Sequence, residues 1–245
     1  IYGSDAIAGV VNVILRQNFD GAEANAYFGQ FDKGDGTRQA YDITIGSSGE
    51  RWSPMAGAGY VKEEPVWAGD REISAVPNFG SSPGYGGSAA LPDGLMCIFD
   101  DDLGCTNPDR TEYGVFIPDP SNPNGWRPYR GIVDNYNFAP DNYLITPQER
   151  KSIFANASLD ITDNLRFKMT TTFNQRRSEQ ILAAMPVSFG VFTGGVGSNI
   201  VISADNIYND YGQEIAGGLR RTVETGGRIF TQNVDTFAFN GGFEG

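Results

Sequence analysis

From Ala22 onward the chain alternates apolar and polar residues with the two-residue period of a strand that buries one face. Ala22, Ala24, Ala26 and Phe28 interleave with Glu23, Asn25 and Tyr27, and Tyr41, Ile43 and Ile45 with Asp42 and Thr44. Between them, Asp32-Lys33-Gly34-Asp35-Gly36-Thr37 predicts a tight reversal, because its glycines supply positive φ angles. A third strand fits Met55 to Glu63. The clearest pair follows: Ile153, Ala155, Ala157, Leu159 and Ile161 face one way, then, after Thr162-Asp163-Asn164, Leu165, Phe167, Met169, Thr171 and Phe173 do the same. A sixth strand, Asp235 to Phe243, places Phe237, Phe239 and Phe243 on one face. Ahead of these, Ser4 to Gly9 reads as a helical turn, with Ser4 as cap, Asp5 at the positive end and Gly9 as the left-handed exit. Val10 to Leu15 reads as a short strand bounded by Arg16.

The connections between these strands are unequal in an ordered way. Gly46 to Ser53 and Thr162 to Asn164 are short, whereas Val66 to Pro147 and Ala184 to Asn233 are long, rich in Gly, Pro, Asn and Asp, and without sustained periodicity. In an antiparallel meander the two long connections share one end of the sheet and the two short ones share the other. That is the arrangement expected of an up-and-down transmembrane β-barrel, with short periplasmic turns and long extracellular loops. A soluble sandwich has no reason to segregate its loops this way. Loops of such length, lacking structure of their own, are expected to be functional or disordered.

Composition agrees with an all-β class and removes several others. Gly occurs 32 times and aromatic residues make up 12% of the chain, a mixture suited to many strands and turns. The net charge is -12, with 30 acidic and 18 basic residues, so the basic footprint of a nucleic-acid binder is missing. The sequence contains no histidine, the commonest general base and transition-metal ligand. We therefore expect no enzyme, no cofactor and no metal centre. No run of about 18 apolar residues is present, which excludes a spanning helix and leaves a spanning barrel open. Ile1-Tyr2-Gly3 reads as the interior of a longer polypeptide.

The opening run Ile1-Tyr2-Gly3-Ser4-Asp5-Ala6-Ile7-Ala8-Gly9-Val10-Val11-Asn12-Val13-Ile14 closely resembles the end of the plug domain in TonB-dependent receptors, where a Tyr-Gly-Ser-x-Ala-x-x-Gly-Val-x-Asn-x-Ile run precedes the barrel. Tyr136 to Leu144, Thr146 to Arg150 and Asn206 to Gly212 resemble segments of a large-loop subgroup of that family, which carries Pro where this chain has Ile207 and Asp210. The resemblance spans essentially the whole chain. It implies that residues 1–16 end the plug and that residues 17–245 begin the barrel, about six strands of a 22-stranded whole. It further implies an outer-membrane location, contact with membrane lipid, and uptake of an extracellular small or oligomeric substrate. Uptake would be energised by TonB acting through a missing N-terminal part of the plug. A passive porin or surface adhesin and a secreted glycan-binding β-protein are the alternatives.

Candidate site residues follow, each with a plainer reading beside it. Arg166, Lys168 and Asn174, with Thr170 and Thr172, form a polar strand face that either holds the plug or is simply solvated in the lumen. Trp67, Tyr85, Trp126, Tyr129, Tyr136 and Tyr143 either line a substrate vestibule, because rigid rings bury much area at low entropic cost, or pack loop against loop. Cys97 and Cys105 read as a local disulfide or as two free thiols. Asp100-Asp101-Asp102 offers hard oxygens for Ca²⁺ without the EF-hand spacing, and otherwise is a solvated acidic tip. Gly194-Gly195-Val196-Gly197 is loop punctuation rather than a phosphate cradle. Trp52 is either part of a periplasmic aromatic girdle or an isolated exposed ring.

Overall fold

The computed structural model describes residues 16, 19–77, 86–98, 114–193, 200–209 and 211–245. The expected plug remnant, apart from Arg16, lies outside the described residues. So do Tyr85, Cys105, the Asp100–Asp102 cluster and the glycine run at 194–197.

The protein is all-β. Its strands are β1 (Gly21–Gly29), β2 (Arg38–Gly46), β3 (Trp52–Glu63), β4 (Val66–Trp67), β5 (Leu95–Ile98), β6 (Val115–Pro118), β7 (Trp126–Pro128), β8 (Tyr143–Ile145), β9 (Gln148–Thr162), β10 (Leu165–Leu182), β11 (Pro186–Gly190), β12 (Ile215–Arg221) and β13 (Arg228–Glu244). The chain divides into two compact units, one of residues 1–63, 148–178 and 232–245, the other of residues 64–147 and 179–231.

Unit one is a single antiparallel sheet in the order β1-β2-β3-β9-β10-β13. These are the six strands that period-two alternation predicts, each joined to its neighbour in sequence order as a meander. Registers are printed in the side chains. Ala24 stands opposite Ile43, Ile43 opposite Ala58, Ala58 opposite Ile153, and Ile153 opposite Phe173, an apolar row across five strands. The neighbouring row reads Asn25, Asp42, Gly59, Ser152 and Asn174, and is polar. At β13 the pairing remains antiparallel: the rings of Phe167 and Phe243 lie 5.2 Å apart, Thr171 Oγ1 donates to Ala238 O at 3.2 Å, and Arg176 donates to Gln232 at 2.7 Å.

The apolar face of this sheet is uncovered among the described residues. Ile43 is 50% exposed, Ile153 58% and Phe237 70%. The flank of Leu165, Phe167 and Met169 is exposed or half-buried, with neither a second sheet nor a helix layer closing over it. Aromatic residues mark both ends of the band. Trp52 stands opposite Leu159, and Leu159 opposite Phe167, at the end of the short turns, while Tyr41 and Tyr60 stack 6.4 Å apart toward the other. Beyond Tyr60 the same face turns polar, with Gln39 opposite Lys62 and Lys62 opposite Glu149.

Strands β3, β9, β10 and β13 run past the sequence-predicted limits. β10 continues through Arg176-Arg177-Ser178-Glu179, where polar residues occupy both faces and hydrophobic alternation has nothing left to report. The predicted reversal at 32–37 is present, with Gly34 at φ 80° and Gly36 at φ 59°. Gly57 has a different role. A Cβ there would approach the Phe154 ring to 2.5 Å and Ile43 O to 2.8 Å, so glycine lets the ring lie flat across the polar face.

The long connections are not structureless. In unit two, β11 and β12 from the second connection pair with β5, β6 and β7 from the first, giving a five-stranded sheet in the order β11-β12-β5-β6-β7. Its core holds Leu91, Leu95, Ile117 and Tyr129, with Phe192 and Leu219 packed against it. A small two-stranded sheet of β4 and β8 accompanies it.

Gly57→Val is expected to lower unfolding stability by about 1 to 3 kcal/mol through overpacking. Gly242→Val, where an added Cβ meets nothing within 4 Å, serves as the neutral control. Equal urea midpoints for the two variants would show that the Gly57–Phe154 contact does not matter.

Candidate functional site

Unit two holds most of the side chains that sequence reading singles out, but the structure sorts them into separate places. Tyr129 is buried at the core, and its hydroxyl donates to Asn135 Oδ1, so it offers no surface to a ligand. Trp67 and Tyr143 pack together with ring centroids 4.6 Å apart. The Tyr143 hydroxyl donates to Glu179 at 3.5 Å, and burial, followed by the nearby Glu179 charge, pushes its pKa up. Trp126 packs edge-on against Phe116 at 4.5 Å and lies 5.8 Å from the Tyr211 ring. Tyr136 donates to Asp141 at 2.9 Å.

Three features that no sequence pattern announces organise this unit. The first is Arg221, only 5% exposed at the end of β12. Its guanidinium donates to Ala184 O at 2.7 Å, Ser88 Oγ at 2.9 Å and Ala90 O at 3.4 Å, and lies 5.6 Å over the Tyr136 ring and 5.5 Å over that of Phe138. Its pKa is lowered, first by desolvation. Carbonyls and π faces replace water around this charge, and in doing so tie the first long connection to the second.

The second is Asp134, beyond β7. Arg127 grips it with two N–H bonds of 2.7 and 2.8 Å, and Arg130 adds its backbone N–H at 2.7 Å and a guanidinium nitrogen at 3.1 Å. The Arg127 hydrogen bonds hold the Asp134 carboxyl far below the ordinary carboxylate range, against the opposing effect of burial.

The third is a cleft of about 470 Å³ lined by residues of β5, β11, β12 and the segment 202–211, among them Leu95, Val187, Phe189, Ile202, Ile215 and Arg220. It falls inside the range of about 300 to 1,000 Å³ typical of small-molecule sites. Among the described residues, none of the sequence-predicted aromatics lines it. Trp126 stands behind it, through Tyr211.

The polar face of unit one carries the other predicted group. Arg166 pairs with Asp160 on the neighbouring strand, and Lys168 Nζ sits 2.7 Å from Glu244. Asn174 lies opposite Ser152 and is half-buried. A second cavity, about 390 Å³, lies on this face near the short turns, lined by Arg16, Met55, Asn156, Arg166 and Lys168 among others. The Asn156 Oδ1 atom there is buried without a hydrogen-bond partner. Of the two cysteines, Cys97 is fully buried in β5, and its expected partner Cys105 is not among the described residues.

In comparisons with known proteins, no family model, no curated protein and no solved structure matches the chain.

A carboxyl whose pKa is depressed by folding contributes stability above its unfolded value near 4 and loses it as pH falls through the lower folded value. Unit two is therefore expected to lose stability between about pH 5 and pH 2. Asp134→Asn should flatten that part of the profile and cost about 2 to 3 kcal/mol at pH 7, the scale of a lost charge-assisted hydrogen bond. Urea unfolding followed by fluorescence of Trp67 and Trp126 checks this, and an unchanged acid slope in the variant would refute it.

Proposed function

We propose that this chain is part of an outer-membrane transporter of the TonB-dependent kind, comprising the end of its plug and the first strands of its barrel. One observation carries the reading: an apolar face runs across six strands in sequence order and is uncovered among the described residues, while the opposite face is mostly polar. Trp52 through Tyr60 on β3 delimit the band, a length suited to the roughly 9 to 11 residues of a tilted spanning strand. An exposed apolar face of this breadth calls for a non-aqueous neighbour, and a bilayer supplies one. A bilayer also requires the two sheet edges, β1 and β13, to be paired by further strands, because no water is present to satisfy them.

On this reading the connections after β3 and β10 are extracellular and the turns after β2 and β9 periplasmic. Arg166, Lys168 and Asn174 face a plugged lumen, where their cross-strand partners leave them as a pre-paired polar lining rather than free charges. Trp67, Trp126, Tyr136 and Tyr143 belong to the extracellular unit through which substrate enters, and Tyr129 is part of its core. A disulfide between Cys97 and Cys105 fits the oxidising compartment outside that membrane. TonB is the energising partner, acting through the plug.

Two experiments test the reading. The intact protein should sediment with membranes and be released only by detergent, and deletion of TonB should abolish uptake of its substrate. Release by salt or buffer alone would return the secreted reading, and TonB-independent uptake the porin one. Within the sheet, Ile43→Arg on the apolar face should cost about 2 to 4 kcal/mol in lipid, while Thr44→Arg on the polar face should cost much less. Equal losses in vesicle-reconstituted unfolding would contradict the assigned faces.

A further inference from the structure

We infer that the cleft of unit two is a ligand site for a neutral aromatic or polycyclic small molecule. This rests on the transporter reading only for the purpose of the site, since binding itself needs neither TonB nor a membrane. The cleft is pre-formed. Ile202 and Ile215 exchange two backbone hydrogen bonds of 2.9 Å, which pin the segment 200–209 beside β12. Asn209, 8% exposed, then locks the loop shut: its Nδ2 donates to Ser203 O at 2.9 Å and Gln213 O at 2.7 Å, and its Oδ1 accepts from Tyr211 N at 3.1 Å. With every polar atom of that side chain engaged, the wall does not collapse onto the floor.

The chemistry of the lining selects the ligand. Phe189 spreads over Gly218, a position where a side chain would collide with the ring, and both contribute to the cleft with Leu95, Ile202 and Ile215. Tyr208, 87% exposed, stands at the rim with a large surface still uncovered. The charged lining residues are Asp93 and Arg220. Arg220 is already matched: it holds Glu224 with contacts of 2.6 and 3.2 Å and donates to Pro92 O at 2.9 Å, and that pairing lowers the Glu224 pKa. An anion would have to displace Glu224 and approach Asp93. A sugar would forfeit its own hydrogen bonds to water against a mostly apolar surface. A flat uncharged ring system meets neither penalty and gains burial against aromatic and aliphatic walls.

The test is calorimetric titration of the intact protein in amphipol with 2-naphthol, 2-naphthoate and maltotriose. Trp126 emission, read through the Tyr211 contact, serves as a second signal. Saturable one-site binding of 2-naphthol is expected, with 2-naphthoate at least tenfold weaker and maltotriose without measurable heat. Val187→Trp, at a 46% exposed lining position outside the core, should fill the cleft and weaken 2-naphthol at least tenfold while leaving far-ultraviolet circular dichroism unchanged. The inference is overturned if wild type fails to bind 2-naphthol, if 2-naphthoate or maltotriose binds as tightly, or if Val187→Trp binds 2-naphthol as wild type does. Failure here would leave TonB-dependent uptake untouched, and failure of that uptake would leave the titration result standing.

Discussion

A sheet that pairs its inner strands while baring one apolar face is the constraint from which the rest of this protein follows. Full burial of a large aliphatic or aromatic side chain is worth about 1.5 to 3 kcal/mol, and Ile43, Ile153, Phe237 and Phe239, each half exposed or more, are among many in this sheet that forgo a large part of it. No layer covers them among the described residues of unit one, and the polar face opposite carries cross-strand pairs such as Arg166 with Asp160 and Asn25 with Asp42. A sandwich places the core between two sheets, whereas this sheet places apolar residues where a second sheet is missing. The edges at β1 and β13 make the same demand in the hydrogen-bonding direction.

Unit two solves the opposite problem. It buries a conventional small core of Leu91, Leu95, Ile117 and Tyr129, using strands from two connections far apart in the chain. Such a unit gains nothing until both connections are present, and the buried Arg221 sits where they meet, bonded to Ser88 and Ala90 on one and Ala184 on the other. Removing one partner from a buried charge of this kind costs more than removing a surface pair, because water does not replace it. The cleft, too, is walled by both connections, with Leu95 from the first and Phe189, Ile202 and Ile215 from the second.

How much of this was legible in the sequence depended on the range of the interactions involved. The six strands of unit one declared themselves because each alternates over many residues and pairs with its sequence neighbour. Their ends did not, since Arg176 to Glu179 carry no apolar periodicity. Strands such as β5 and β6 span four residues each, too few for a period to register, and β12 finds β5 more than a hundred positions away. The aromatic residues of the long connections stand out in the sequence as a class, but composition does not separate Tyr129, which is core, from Trp126, which packs between Phe116 and Tyr211. Arg221, Asp134 and Asn209 were missed because their roles depend on partners that folding brings near them, carbonyls and rings for Arg221, two guanidinium groups for Asp134 and loop backbone groups for Asn209, a signal that single residue types do not carry.

The account stands on alternate side chains of one strand meeting two different media. Nitroxide labels placed singly from 165 to 174 along β10, in the intact protein reconstituted in nanodiscs, measure this directly through collision with oxygen and with a water-soluble nickel chelate. We expect oxygen access to peak at 167, 169, 171 and 173 and nickel access at 168, 170, 172 and 174. Access to the nickel chelate that is equal along both series would contradict the account.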